Sequence, residues 1–158
     1  MLRCAGAVLA LIVVSAGICG EPPLVPLTVC EALRDLPAEE GKPAAVMGRY
    51  SFRETGRWIG EQVCDPAVTE PTQLWLVEDS AAPKPPENYE LDGVALERKF
   101  TALRRHTTLG KFRFGAPDYD RWAVVYGRIE ARKGDEAKKA PANLVFRGSG
   151  VVIFLNPQ

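Results

Sequence analysis

Histidine is almost absent from this sequence, because His106 is the only one among 158 residues. A metal site that relies on paired imidazole ligands is therefore not expected. A catalytic imidazole would also need a nucleophile or a metal beside it, and the sequence indicates neither. We expect His106 to be a solvated residue at the end of a helix, where a positive charge favours the helix dipole. We predict no metal ligands and no cofactor.

Neither sign of charge predominates in the chain. Lys and Arg together number 20, as do Asp and Glu, and the formal net charge is +0. No overall field would therefore attract the protein to nucleic acid or to an anionic membrane. Several arginines and aromatic residues could form a basic, aromatic surface of the kind that binds single strands. The balanced charge argues against nucleic acid as a partner.

Long apolar runs are absent after the first twenty residues. Ala5 to Val14 is apolar, Arg3 precedes it, and small residues follow it at 15–17. The run is much shorter than the roughly 20 residues that a membrane span requires. This layout is typical of a secretory signal peptide, which we assign to residues 1–19. Residues 20–158 then form a single exported domain, periplasmic or secreted, without a membrane span.

Cysteine is also scarce, with four residues in the chain. Cys4 and Cys19 lie in or at the edge of the signal peptide. A lipid anchor at Cys19 is a disfavoured alternative, because Ile18 stands where a lipoprotein signal has a small residue. Cys30 and Cys64 remain, and two cysteines in a small exported domain predict a disulfide bond.

The rest of the pattern predicts a mainly β fold with two helices, in the α+β class, built on a small, curved antiparallel sheet. Residues 44–52 predict a strand with Ala44, Val46, Gly48, Tyr50 and Phe52 on one face and Ala45, Met47, Arg49 and Ser51 on the other. Further strands are predicted at 58–64, 73–77, 122–129 and 144–155. Val94 to Arg105 has the apolar stripe of a helix, and a shorter helix is expected over 29–36. The charged segment 131–141 has no apolar face and predicts a mobile loop.

A set of positions along this pattern resembles small exported bacterial proteins with an OB-like β-barrel, whose function is uncharacterised. These positions are Cys30-Glu31-Ala32-Leu33, Gly41-Lys42, Val46-Met47-Gly48-Arg49-Tyr50, Gly56, Trp58, Cys64 and Tyr126-Gly127-Arg128-Ile129. The resemblance implies that residues 20–158 form one OB-like domain. Gly48 and Gly127 are expected at bends or close approaches of a strongly curved sheet.

An OB-like barrel presents its ligand on one sheet face. We therefore expect an exported, non-catalytic binding or interaction module with an unknown ligand or protein partner. The predicted ligand face consists of Arg49, Ser51, Trp58 and Trp75.

The alternative is a small carboxylate-dependent hydrolase acting on an extracytoplasmic substrate. Its candidate acids are Asp118 and Asp120, with Glu54 and Glu61 elsewhere in the chain. Ser149 does not lie in the Gly-x-Ser-x-Gly pattern of a nucleophile elbow, and we assign no catalytic residue. Clustered buried acids in a deep pocket would favour the hydrolase, whereas a shallow face with exposed arginine and aromatic groups would favour binding.

Overall fold

A sheet of seven strands forms the framework of the computed structural model, which describes residues 22–68, 70–109, 119–148 and 152–156. In chain order the strands are β1 (Leu27–Thr28), β2 (Pro43–Arg53), β3 (Gly56–Gly60), β4 (Gln73–Glu78), β5 (Tyr119–Ala131), β6 (Ala142–Phe146) and β7 (Val152–Phe154). The α-helices are α1 (Val29–Arg34), α2 (Leu36–Glu39) and α3 (Gly93–His106). The proposed signal peptide, Asp118 and Ser149 lie outside the described residues.

Five of the strands close into a barrel. Hydrogen-bonded neighbours follow the order β2-β3-β4-β6-β5, and β5 pairs with β2 to complete the ring. The mainly β, α+β class is thereby confirmed. The β4–β6 pairing is parallel, as is that of β1 with β2. Alternation along a single strand does not reveal the direction of its neighbour, so these two parallel pairings were not predicted.

Alternation along the strands separates the barrel interior from its outer face. Tyr50 is in register with Ile59, and Ile59 with Leu74, so these three side chains share the interior face. All three are buried. A second row lies next to the first. Ser51 is in register with Trp58, and Trp58 with Trp75, and these three residues lie on the outer face.

The outer face is covered over β2 and β5. Phe100 of α3 packs edge-to-face on Trp122 with ring centroids 5.6 Å apart, and Tyr89 packs on Tyr126 at 5.5 Å. Over β3 and β4 the same face is open, because Trp58 and Trp75 are only partly buried. This asymmetry positions the candidate site.

The first predicted helix is divided in two. Thr28 and Glu31 form a capping box that begins α1 as expected, but α1 ends at Asp35 and α2 follows directly. Pro37 therefore lies in the first turn of α2, where a proline is tolerated, and does not end the first helix. The second predicted helix is confirmed as α3. Asp92 is its N-cap residue, and the Asp92 side chain accepts the Ala95 N–H at 2.9 Å.

Two glycines permit close approaches inside the sheet. A Cβ at Gly48 would lie 2.8 Å from the carbonyl oxygen of Gly60, and one at Gly127 would lie 2.5 Å from that of Val145. Both distances are shorter than van der Waals contact, so any side chain there would force the strands apart. The close approaches predicted at these two glycines are present.

The charged segment 131–141 contains regular structure, in contrast to the predicted mobile loop. Residues Gly134–Lys138 form a 3-10 helix, and Ala140 is fully buried. The Arg132 N–H donates to the Pro141 carbonyl at 2.8 Å, and Gln73 Nε2 donates to the Lys139 carbonyl at 2.7 Å. The backbone of the segment, rather than an apolar face, is what attaches it to β4.

Candidate functional site

Two tryptophans stack on the open outer face of the barrel. Trp58 on β3 and Trp75 on β4 are directly opposite in register, and their ring centroids are 5.8 Å apart with an interplanar angle of 14°. Gly56 adopts φ +137°, and a Cβ there would collide with the ring of Trp75. A glycine is therefore required both by the turn that enters β3 and by the position of Trp75.

An arginine lies over each tryptophan. The guanidinium carbon of Arg53 is 5.4 Å from the centroid of Trp58, and that of Arg132 is 5.8 Å from the centroid of Trp75. These distances are within cation–π range, where each contact contributes about 0.5–1 kcal/mol at an exposed site. The arginines hold the two rings in place at the surface.

A groove of about 450 Å³ runs beside this stack and is partly open to solvent. Both tryptophans contribute to its wall, together with polar side chains from the β2–β3 turn, from β4 and from the 131–141 segment. The lining residues are Thr55, Trp58, Gln73, Trp75, Arg132, Glu136 and Lys139. A few polar groups around an apolar wall are typical of a site that binds a small molecule or a chain end.

Arg132 is the most enclosed charged group in the groove. Its side chain is 9% exposed, while its ion-pair partner Glu136 is 62% exposed. Nη2 pairs with the Glu136 carboxylate, but Nη1 is buried and has no acceptor among the described residues. The guanidinium therefore retains one nitrogen whose N–H groups have no acceptor within the described part of the chain.

The structure brings together only two members of the predicted ligand face. Trp58 and Trp75 line the groove, whereas Ser51, although on the same face, is 2% exposed and cannot contact a ligand. Arg49 Nη1 donates to the Thr108 carbonyl at 3.1 Å, which connects β2 to the segment after α3. Ser51, Trp58 and Trp75 share one face of the sheet, but a shared face does not show which part of it neighbouring segments cover.

Sequence reasoning missed Arg132, Glu136 and Lys139 as groove residues. They lie in the segment that was predicted to be a mobile loop. No local signal indicated them, because the segment is rich in charged residues and has no apolar periodicity.

A second polar cluster lies at the end of β3, around the disulfide bond. Cys30 and Cys64 are bonded with Cα atoms 5.3 Å apart, which confirms the predicted pair. The Glu61 side chain is 5% exposed; its Oε2 accepts the Cys30 N–H at 2.9 Å, and its Oε1 lies 2.7 Å from His106 Nε2. His106 is thus a paired, partly buried residue and not simply solvated.

The second cluster offers little for catalysis or metal binding. Glu61 is the one carboxylate classed as buried within the described ranges, so no pair of buried acids is found there. Cys30, Glu61 and Cys64 place potential ligand atoms within 4.8 Å of one another, but the disulfide bond occupies both sulfur atoms. Glu54, another candidate acid, is exposed in the β2–β3 turn.

Among the residues that the structure describes, no helix has both the length and the apolar character needed to cross a membrane. Comparisons with protein-family models, with curated proteins and with solved structures gave no match. The groove beside Trp58 and Trp75 is therefore interpreted from its own geometry and chemistry.

Proposed function

We propose that this protein is an exported, non-catalytic binding module with an OB-like barrel, which binds an oligosaccharide in the groove beside Trp58 and Trp75. The observation that carries the proposal is the pair of stacked, partly exposed tryptophans on the outer face of β3 and β4.

The strand order supports the OB-like interpretation. In chain order, the barrel strands β2, β3, β4, β5 and β6 correspond to strands one to five of an OB-fold, and α3 lies between the third and the fourth. An OB-fold binds ligands on its second and third strands and on the loops between strands one and two and between four and five. Those elements are β3, β4, the turn that contains Thr55, and the segment that contains Arg132.

The groove chemistry favours a saccharide. A sugar ring has an apolar face that can pack on an indole and an edge of hydroxyl groups that need hydrogen-bond partners. Gln73, Thr55 and Lys139 supply such partners around the tryptophan wall. A single strand of nucleic acid fits less well, because the net charge of the chain is +0 and no overall field attracts a polyanion.

Isothermal titration calorimetry of the exported chain tests this proposal. The probes are cellohexaose, chitohexaose and hexagalacturonate, which share a hexasaccharide length and differ in substituents and charge. We expect at least one to bind, and Trp75→Ala to lower its affinity by about tenfold or more, corresponding to the loss of a large aromatic contact. Phe52→Ala is the matched control, because Phe52 is 45% exposed but lies on the opposite face of β2.

Two results would overturn the proposal. One is that no probe binds, or that the Phe52 and Trp75 variants lose affinity equally. The other is the release of reducing ends during the titration, since cleavage of the probe would favour the carboxylate-dependent hydrolase instead.

A further inference from the structure

We infer that the groove is built for an oligosaccharide that bears carboxylate groups, and that Glu136 occupies the place of a ligand carboxylate when the groove is empty. This inference rests on the proposed function, since it names the ligand class of the same groove. It is drawn from the contacts of Arg132.

Of the two terminal nitrogens of the Arg132 guanidinium, only one has an acceptor among the described residues. A guanidinium can bind a carboxylate through two parallel N–H···O bonds, and this fork-like geometry is the reason arginine is favoured at carboxylate sites. Here Nη2 pairs with Glu136, while Nη1 is buried and without an acceptor among the described residues. A buried donor with no acceptor is costly, and a ligand carboxylate that engages both nitrogens would remove that cost.

Glu136 is an easily displaced partner. Its side chain is 62% exposed, and it lies four residues from Arg132, within the 3-10 helix Gly134–Lys138. The exposed carboxylate of Glu136 is well hydrated, so water and salt weaken its pairing with Arg132. When Glu136 turns into solvent, water hydrates its carboxylate. The ligand carboxylate takes its place beside Arg132, so the charge around Arg132 is unchanged.

The neighbouring groups favour an acidic ligand after this exchange. Lys139 is exposed on the groove wall, and its backbone carbonyl is fixed by Gln73. The other acid of the same short helix, Asp135, pairs with Lys138 at 2.7 Å and does not line the groove. With Glu136 turned away, the polar lining consists of Arg132, Lys139, Gln73 and Thr55, which contains no negative charge.

The test compares hexagalacturonate with cellohexaose by titration calorimetry on the exported chain. We expect the parent protein to prefer hexagalacturonate, and Glu136→Gln to raise that affinity about two- to fivefold, as expected for the removal of a weak internal competitor. The affinity for cellohexaose should not change. Asp135→Asn is the matched control, because it removes the same charge from the same exposed helix without touching Arg132.

The outcomes separate this inference from the proposed function. An equal gain in affinity for hexagalacturonate in the Glu136 and Asp135 variants would mean a general charge effect. It would overturn the proposed exchange of Glu136 for a ligand carboxylate. Binding of cellohexaose without preference for hexagalacturonate would refute the acidic ligand and leave the oligosaccharide proposal standing. Equally tight binding of a hexaglutamate peptide would refute the assignment to a saccharide. Absence of binding by every probe would overturn both.

Discussion

Glu61 Oε1 lies 2.7 Å from His106 Nε2, and this contact joins the end of β3 to the last turn of α3. The second carboxylate oxygen accepts the Cys30 N–H at the start of α1. One buried side chain therefore connects three segments that are distant in sequence.

We expect Glu61→Gln to lower the free energy of unfolding by about 1–3 kcal/mol, because a charge-assisted contact is lost at a buried position. Urea denaturation of the parent and variant measures the change. Glu54→Gln is the control, since Glu54 is exposed in the β2–β3 turn. Equal stabilities of the two variants would mean that the Glu61 contacts do not contribute to folding.

Alanine at Gly48 or Gly127 should destabilise the barrel by about 1–3 kcal/mol, the range for overpacking. The nearest atoms to the added Cβ are backbone carbonyl oxygens, which cannot move without shifting a strand. Chemical denaturation measures the loss. Gly93→Ala is the control, because Gly93 begins α3 and has no atom within 4 Å of its added Cβ. Three variants of equal stability would contradict the close approaches.

Tyr89→Phe should be neutral or slightly stabilising at pH 8, and should reduce the loss of stability at high pH. The Tyr89 hydroxyl oxygen is buried with no hydrogen-bond partner in the described ranges, and burial, with a smaller effect of Tyr126, raises its pKa to about 12. The unfolded chain therefore loses this proton near pH 10 and the folded chain only near pH 12. Stability linked to Tyr89 is fully present below pH 10 and is lost as the pH rises towards 12.

Urea midpoints at pH 8 and pH 11 check this prediction for Tyr89. The parent should lose more stability between the two pH values than the phenylalanine variant does. An identical loss in both proteins would show that the hydroxyl is hydrated or hydrogen-bonded in solution.

Replacing both Cys30 and Cys64 with serine should lower the free energy of unfolding by about 4 kcal/mol, on the chain-entropy model of a disulfide. The two residues are separated by 34 positions, so the bond restricts a sizeable loop of the unfolded chain. Peptide mapping of the protein under non-reducing conditions should find the two cysteine peptides linked. Recovery of both as free thiols would contradict the pairing.

Local pattern was sufficient to predict one long strand and the long helix. Residues 44–52 predicted β2 with one interior and one outer row, and the stripe at Leu96, Phe100 and Leu103 predicted α3. The break between α1 and α2 at Asp35 was not predictable from periodicity, because two short helices in succession can have the same spacing of apolar residues as one longer helix.

The groove was only half predictable. Alternation places Ser51, Trp58 and Trp75 on one face, but burial of Ser51 depends on tertiary packing that a local pattern does not encode. Arg132 and Glu136 were not predicted as groove residues, and the reason is the way in which their segment is held. The carbonyls of their segment accept hydrogen bonds, at Lys139 from the Gln73 side chain and at Pro141 from the Arg132 N–H, and such bonds are independent of side-chain hydrophobicity.

The β2–β5 pairing has a consequence for the order of folding. Residues 43–52 of β2 pair with residues 119–128 of β5, so the ring cannot close until most of the chain is available. Pairings of such high sequence separation make folding slow, because the loop-closure entropy is lost before the contacts form. The Cys30–Cys64 bond, by contrast, lies wholly within the first half of the chain and can form before the barrel closes. Until β5 arrives, one edge of β2 is exposed and able to pair with another chain, so early truncations of this protein should be prone to aggregation.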